Sequence, residues 1–296
     1  MGIVGGNKPS TYSRSPELWN TWCHLTGFPG SFRAIDVDDL TELPDFLDSV
    51  WHNPDFVDLT ITNPYKQPAF RWFEGRLGDP NVTVRPAAAR LQAMNHLLRG
   101  PGGAPVIIAN TDGAGLFREL PDSVRRTREA LVVGAGGAAR SIVDTLLENG
   151  ISVTIANIVD PDARSLAQEL STAHRATRGR KVRLGTLPYE ELAAGGADIL
   201  ERADLAILAI TEGNPLSAEM LAPERDHLSV VDARYGKSAE GFLTADGAGL
   251  RAFDGRLMLF GQFAMAADTV AELHGIPGHE HRRALAEIRK QFLAPE

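Results

Sequence analysis

The chain has 296 residues, 43% of them hydrophobic and 23% charged, which are globular values with room for two cores of ordinary domain size. A formal net charge of -8 and the absence of Lys or Arg runs argue against nucleic acid or an anionic membrane surface as partner. The single cysteine, Cys23, excludes an internal disulfide framework and reads as a small buried hydrophobe, no metal is expected, and no stretch reaches the ~18 apolar residues of a membrane span.

The start, Met1 to Lys8, lacks a signal-peptide core, so a cytoplasmic protein is expected. Ile3 to Gly5 reads as a short strand, followed by a loop rich in Gly, Pro and Ser. Ser15-Pro16 opens a helix, with Ser15 expected as N-cap and Pro16 at the first helical position. Leu18, Trp19, Trp22 and Leu25 give it an apolar face. Thr41 to Trp51 reads as a helix and Phe56 to Thr62 as a strand broken by Asn63-Pro64. Helices follow from about Lys66 to Glu74 and from Arg85-Pro86, then a strand from Met94 to Leu98. The run Gly100 to Pro105 is a hairpin-like turn, Val106 to Ala109 a strand, and Thr111 to Gly115 the start of another helix.

From Ala130 the pattern alternates. Strands are expected at Ala130 to Val133, Ile151 to Ala156, Val182 to Leu184, Leu205 to Ile210 and Leu228 to Asp232, with helical stretches between most of them. That alternation predicts an α/β fold with a parallel sheet covered on both faces. Leu257 to His274 and His279 to Phe292 read as two terminal helices. The expected organisation is a first domain over residues 1–108, a nucleotide domain over 109–254, and the helices of 255–296 packing back.

The stretch Gly134-Ala135-Gly136-Gly137-Ala138-Ala139 sits between the first strand and first helix of the alternating half. Strand, glycine turn, helix and strand form the context of a dinucleotide fingerprint. The first glycine permits the tight turn, the second lets backbone approach a pyrophosphate, and Ala139 lets helix and strand pack closely. The helix start then offers free N–H groups to the anion. The pattern alone also fits a structural turn or a site for another nucleotide such as S-adenosylmethionine.

Three polar clusters lie at strand ends or helix starts: Thr60 to Lys66, Asn95, and Asn110 to Gly113. A lone Lys after a turn is usually a solvated surface residue, and a lone Asp before a helix is usually a cap. Oxidising an alcohol with a nicotinamide needs a group to take the hydroxyl proton. Lys66 suits this if burial and neighbours set its pKa, and Asp112 suits orienting it. Spacing does not decide whether the two meet.

Taken together, Ser13-Arg-Ser15-Pro, Pro64-Tyr-Lys66, Asn95, Asn110-Thr-Asp112-Gly, Gly134 to Arg140, Asp232-Ala-Arg-Tyr235 and Asp254 to Gln262 make the chain resemble the shikimate dehydrogenase family over nearly its whole length. The resemblance implies an amino-terminal α/β substrate domain, a Rossmann domain and an active-site cleft between them. It implies action on a small cyclic hydroxy acid, shikimate or a close relative such as quinate; a monomer or homodimer is expected, and the sequence does not fix which. Lys66 would be the general acid/base, with Asp112 beside it. Ser13 and Ser15 would hold the substrate carboxylate, and Thr62, Asn95, Tyr235 and Gln262 would complete the substrate site. Gly134, Ala135, Gly136, Gly137, Ala138 and Thr211 would line the cofactor. Ser15 also has a competing reading as a helix cap.

The chain departs from the family pattern at several places. The usual Asn six residues before the Lys is Thr60, which puts one substrate-hydroxyl contact in question. The usual Asn-Thr pair is Asn95-His96, where His96 is read as an exposed or packed residue before a ligand contact. Asn63 replaces an apolar residue, Leu257 a small one, and Ala209-Ile-Thr211-Glu212 stands where the family carries Asn-x-Thr-Pro. NADP-using members carry Asn-Arg-Thr after the second Rossmann strand; here the Arg position is Ile158. Asp160 lies near the ~20-residue spacing of a ribose ligand and would repel a ribose phosphate. NAD is therefore favoured, with NADP possible. The competing reading has Asp160 capping the helix of Pro161 while Arg164 turns toward a phosphate. Two further alternatives for function are an aminoshikimate-type dehydrogenase and a nucleotide-binding regulator without turnover. A methyltransferase would not need the amino-terminal residues.

Overall fold

The computed structural model describes residues 1–6, 8–174, 182–194, 197–211, 213, 216, 227–235 and 251–294. The chain divides into two compact units, Met1–Gly115 with Leu259–Glu296, and Leu116–Met258. The expected boundary at residue 108 thus falls later, because Asp112 and Gly115 belong with the first unit.

The first unit begins with β1 (Gly2–Gly5), α1 (Ser15–Thr26), β2 (Arg33–Asp36), α2 (Leu43–Trp51), β3 (Asp58–Ile61) and α3 (Lys66–Glu74). It continues with β4 (Val82–Val84), α4 (Pro86–Leu91), β5 (His96–Arg99), β6 (Val106–Ala109) and the start of α5 (Asp112–Glu119). Among the described residues its sheet has the order β2-β1-β3-β5-β6-β4, with β5 antiparallel to both neighbours. One face carries Val4, Leu59, Ile61 and Leu97 against Leu43, Leu47, Phe70 and Phe73 of α2 and α3.

Three readings are corrected here. Ser15 is the first helical residue of α1, and Arg14 occupies the N-cap. Ser13 Oγ accepts the Ser15 N–H at 3.2 Å, the N–H of the first helical residue. The Thr41 to Trp51 helix opens as a 3-10 turn, Leu40–Glu42, before α2 begins at Leu43 with Pro44 in its first turn. Arg99 ends β5 rather than lying beyond it, and its buried guanidinium donates to the carbonyls of Val50, Trp51 and Asn53 at 2.7–2.9 Å. It thereby serves the carbonyls at the end of α2.

The second unit contains α6 (Asp122–Arg125), β7 (Glu129–Val133), α7 (Gly137–Glu148), β8 (Ser152–Asn157) and α8 (Asp160–Ala173). There follow β9 (Leu184–Pro188), α9 (Tyr189–Ala193), α10 (Ala197–Arg202), β10 (Leu205–Leu208), β11 (Ser229–Asp232) and β12 (Arg251–Phe253). Its sheet is parallel, in the order β12-β11-β10-β7-β8-β9, the doubly wound topology that the alternation predicts. Its core includes Leu131, Val133, Ala206, Leu208 and Val230. The strand expected at Val182 to Leu184 lies slightly later, as β9.

Two helices close the chain, α11 (Arg256–Leu273) and α12 (Gly278–Phe292). Within the first unit, Trp19 meets Phe263 edge-on at 5.2 Å, and Trp22 Nε1 donates to His281 Nδ1 at 3.1 Å. His281 Nε2 in turn pairs with Asp268 at 2.7 Å. Among the described residues no helix is long and apolar enough to cross a membrane.

Candidate active site

The centre of the first unit's site is an ion pair. Lys66 opens α3 after a four-residue turn, 62–65, that follows β3, and its Nζ donates to Asp112 Oδ2. Asp112 is 1% exposed and sits in the first turn of α5, where the helix dipole favours a carboxylate. The Lys66 side chain remains 13% exposed, against 1% for Asp112.

Asn95 holds the other edge of the pair. Its Nδ2 lies 3.0 Å from Asp112 Oδ1, 3.1 Å from Thr111 Oγ1 and 3.1 Å from Gln262 Oε1. Its Oδ1 accepts the Thr111 N–H at 2.9 Å. An amide nitrogen carries two hydrogens, so these three acceptors share them. Backbone fixes Asn95 as well: its N–H donates to Ala109 O at 2.9 Å, and its carbonyl accepts from Ile61 at 2.8 Å. The Met94 N–H reaches the carbonyl of Lys66 itself at 3.0 Å. Residues far apart in sequence, Lys66, Asn95, Thr111, Asp112 and Gln262, thus form one hydrogen-bonded group.

Gln262 reaches Asn95 because α5 and α11 touch through glycine. A Cβ on Gly115 would overlap the backbone of Gly261 and Gln262, and one on Gly261 would overlap the carbonyl of Gly115. Neither glycine stands out in the sequence as a site residue; their role depends on this contact.

Ser13 and buried Ser15 lie together at the start of α1. Thr62 follows β3, its N–H donating to Val4 O at 2.9 Å and its carbonyl accepting from Tyr65 at 3.0 Å. Tyr12, next to Ser13, does not stand out in the sequence. Burial pushes its phenol above the ordinary range, and a hydrogen bond with Thr62 opposes that rise. His96 is fully packed and pairs with Asp58 at 2.9 Å, which settles its place as a buried residue.

The second unit carries the remaining residues. Gly134 has φ +122° and its Cβ would overlap Ala209 O, so the tight turn requires glycine. A Cβ on Gly136 would meet nothing within 4 Å, leaving the open cradle that a pyrophosphate needs. Gly136 is the N-cap of α7 and makes no side-chain cap hydrogen bond; Gly137 and Ala138 lie in the first turn. Their backbone N–H groups and the helix dipole suit an anion. Ala135 lies between the two glycines. These features fit a dinucleotide.

At the end of β8, Ile158 is 66% exposed and Val159 is the N-cap of α8. Asp160 is therefore the first helical residue rather than the cap, and Arg164 lies 3.4 Å from its carboxylate. Arg164 turns to Asp160, within its own helix. Arg140 pairs across to Glu169, whose carboxyl is held low by that hydrogen bond. Thr211 is exposed just beyond β10, whereas Glu212 lies outside the described residues. Tyr235 is half-buried beyond β11, next to Arg234, which grips Asp232 through both carboxylate oxygens and donates to Gly213 O at 2.9 Å.

Comparison with known proteins follows the same outline. A profile of the shikimate dehydrogenase substrate binding domain matches residues 4–97. Shikimate dehydrogenase (NADP(+)) of Acidiphilium cryptum is 32% identical, over 88% of this chain and 86% of its own length. This chain belongs to the shikimate dehydrogenase family. Shikimate 5-dehydrogenase from Thermus thermophilus, solved with NADP(H) and shikimate, superposes with a TM-score of 0.71 at 26% identity, covering 97% of this chain and 98% of the other. Quinate dehydrogenase from Corynebacterium glutamicum, solved with NAD, shares the fold with a TM-score of 0.74 at 22% identity, over 97% and 98% of the two chains.

Proposed function

We propose that the chain is an NAD(P)-dependent oxidoreductase that interconverts shikimate, or a close relative such as quinate, with its 3-dehydro ketone. The observation that carries this reading is the Lys66–Asp112 pair, joined by Asn95 to Gln262. Pure binding does not require an ammonium and a carboxylate held together.

In the oxidising direction, Lys66 enters as the neutral amine, takes the proton of the C3 hydroxyl and becomes the ammonium; in the reducing direction, the ammonium returns that proton to the developing alkoxide. Asp112 holds the lysine nitrogen aimed at that oxygen. Asn95 donates to the far oxygen of Asp112 and fixes its rotamer. Ser13 and Ser15 donate to the substrate carboxylate near the start of α1. Thr62, Gln262 and Tyr235 are assigned to the remaining contacts of the acid. The Gly134 to Ala138 turn and Thr211 hold the dinucleotide, which when bound supplies the hydride acceptor or donor at its nicotinamide C4.

NAD is the preferred form in this reading. An exposed Ile158 at the end of β8 offers no charge to a ribose phosphate, and Asp160 accepts from ribose hydroxyls. A small cyclic hydroxy acid is the substrate beside the dinucleotide, and a cytoplasmic location suits such chemistry. The test is an absorbance assay of reduced nicotinamide with shikimate, quinate and aminoshikimate, each with NAD and NADP. Turnover with one of the first two, lost in a folded Lys66→Ala variant, is expected. No turnover in any combination, or full turnover by that variant, would overturn the reading.

A further inference from the structure

Tyr12 directly precedes Ser13 and is 44% exposed. Its phenol shares a hydrogen bond with Thr62, just beyond β3. The phenol thus joins two residues assigned above to the acid. Tyr12 closes the 3-10 turn Pro9–Thr11, and the Pro9 carbonyl accepts the Ser13 N–H at 3.0 Å. The Ser10 N–H donates to Asp36 Oδ1 at 3.0 Å, and the Ser10 hydroxyl donates to Oδ2. Thr62 is fixed from the other side. A Cβ on Gly5 would overlap its methyl group, so the methyl lies over the end of β1 and the hydroxyl is left for the phenol.

β1, β2 and β3 run parallel, with Gly5 opposite Asp36 and Val4 opposite Ile61. The Tyr12 loop is therefore tied to the carboxyl ends of three adjacent parallel strands, where open α/β sheets take their ligands. The Ser10–Asp36 contact already pins this loop, so the phenol is not needed for that. Burial, with the Asp36 charge in support, pushes the phenol above its ordinary range, and it keeps its hydrogen at neutral pH. A phenol has one hydrogen and two lone pairs, so a single bond to Thr62 leaves capacity for a further partner. A hydroxyl group, which both donates and accepts, matches that capacity whichever way the bond to Thr62 runs.

With Ser13 and Ser15 on the carboxylate, the group of the acid nearest to Tyr12 is the other substituent of the same ring carbon. Quinate carries a hydroxyl there; shikimate has a ring double bond at that carbon and no hydroxyl. We propose that Tyr12 is a specificity-determining residue, whose phenol hydrogen-bonds the hydroxyl on the carboxylate-bearing carbon and so gives quinate a contact that shikimate lacks. The inference rests on the activity proposed above and on its placing of Ser13 and Ser15.

Steady-state kinetics of Tyr12→Phe with quinate and with shikimate test it, with thermal unfolding measured alongside. Phenylalanine keeps the ring and removes only the hydroxyl. The variant's kcat/KM for quinate is expected to fall about ten-fold, while kcat/KM for shikimate and the nicotinamide KM stay within about two-fold. Where quinate binds without turnover, its inhibition constant against shikimate is read instead and should rise about ten-fold. Equal falls for the two acids would make the phenol a carboxylate or loop contact and overturn the inference, as would no change with either acid. A parent enzyme that oxidises shikimate but neither oxidises nor binds quinate overturns it while the activity stands. A parent enzyme inactive on every acid overturns the activity and the inference together.

Discussion

Gly261 of α11 lies against the carbonyl of Gly115 in α5 so closely that neither position has room for a Cβ. The contact brings the next residue, Gln262, within 3.1 Å of Asn95 and so to the Lys66–Asp112 pair. Gly261→Ala is therefore expected to separate the two helices. Overpacking of this kind costs about 1–3 kcal/mol. Thermal unfolding should show a lowered Tm, and the KM for the acid should rise because Gln262 moves with its helix. An unchanged Tm and KM would mean that the crossing tolerates a methyl group.

Lys66 and Asp112 should respond unequally to loss of the partner. Asp112→Asn leaves an ammonium with 13% exposure, which can turn toward water. Lys66→Met leaves a carboxylate at 1% exposure with Asn95 as its principal remaining support. Removing one partner of a buried pair costs about 3–5 kcal/mol, and the partial exposure of Lys66 places this case at the lower end. Lys66→Met should thus lose more Tm than Asp112→Asn. Turnover should fall by about 10²–10⁴ in Asp112→Asn, the range of a misdirected acid/base group. Equal Tm losses would refute the asymmetry.

Cys23 is buried in α1, and burial pushes its thiol up to about 11. The unfolded thiol titrates lower, so the folded state binds its proton more tightly. That contribution to stability is complete below the unfolded pKa and is lost as pH rises toward 11. The folded protein at pH 8 should resist a thiol-specific chromogenic reagent that reacts at once in denaturant. Rapid labelling of the native protein would place Cys23 outside the core.

Local chemistry made much of this fold legible. The boundaries of α3 follow from Asn63-Pro64 and the apolar spacing of Ala69, Phe70 and Phe73. The glycine turn identifies β7, α7 and β8. Edge strands β2, β4 and β12 do not stand out, because none of their four or three residues is fully buried and they show no sustained alternation. Ser15-Pro16 reads as cap and first residue, yet the helix starts one residue earlier, at Ser15, whose N–H donates to Ser13 Oγ. For the site, residue types point to Lys66, Asn95 and Asp112 individually. Their meeting depends on β5 lying between β3 and β6, and on a glycine crossing that no spacing encodes. His96 was legible as a histidine but not as a partner of Asp58, since cross-strand register appears only in the sheet.

Cofactor choice is the remaining feature that a single position should move. Ile158 is 66% exposed at the end of β8, where a ribose phosphate would need a cation, and Asp160 follows with Arg164 already beside it. Ile158→Arg removes no buried contact of consequence and adds a planar cation suited to phosphate. The NADP-to-NAD ratio of kcat/KM should rise about ten-fold or more, equivalent to about 1.4 kcal/mol of discrimination. Asp160→Ser should add to that ratio by removing repulsion of the phosphate, and the combined variant should show both gains. The effect should shrink in high salt, because the new contact is exposed. Since the substitution lies outside the Lys66 group, kcat with the preferred nicotinamide should change little. A ratio unmoved by either substitution would show that the end of β8 does not choose the cofactor, and the proposed preference for NAD would lose its basis.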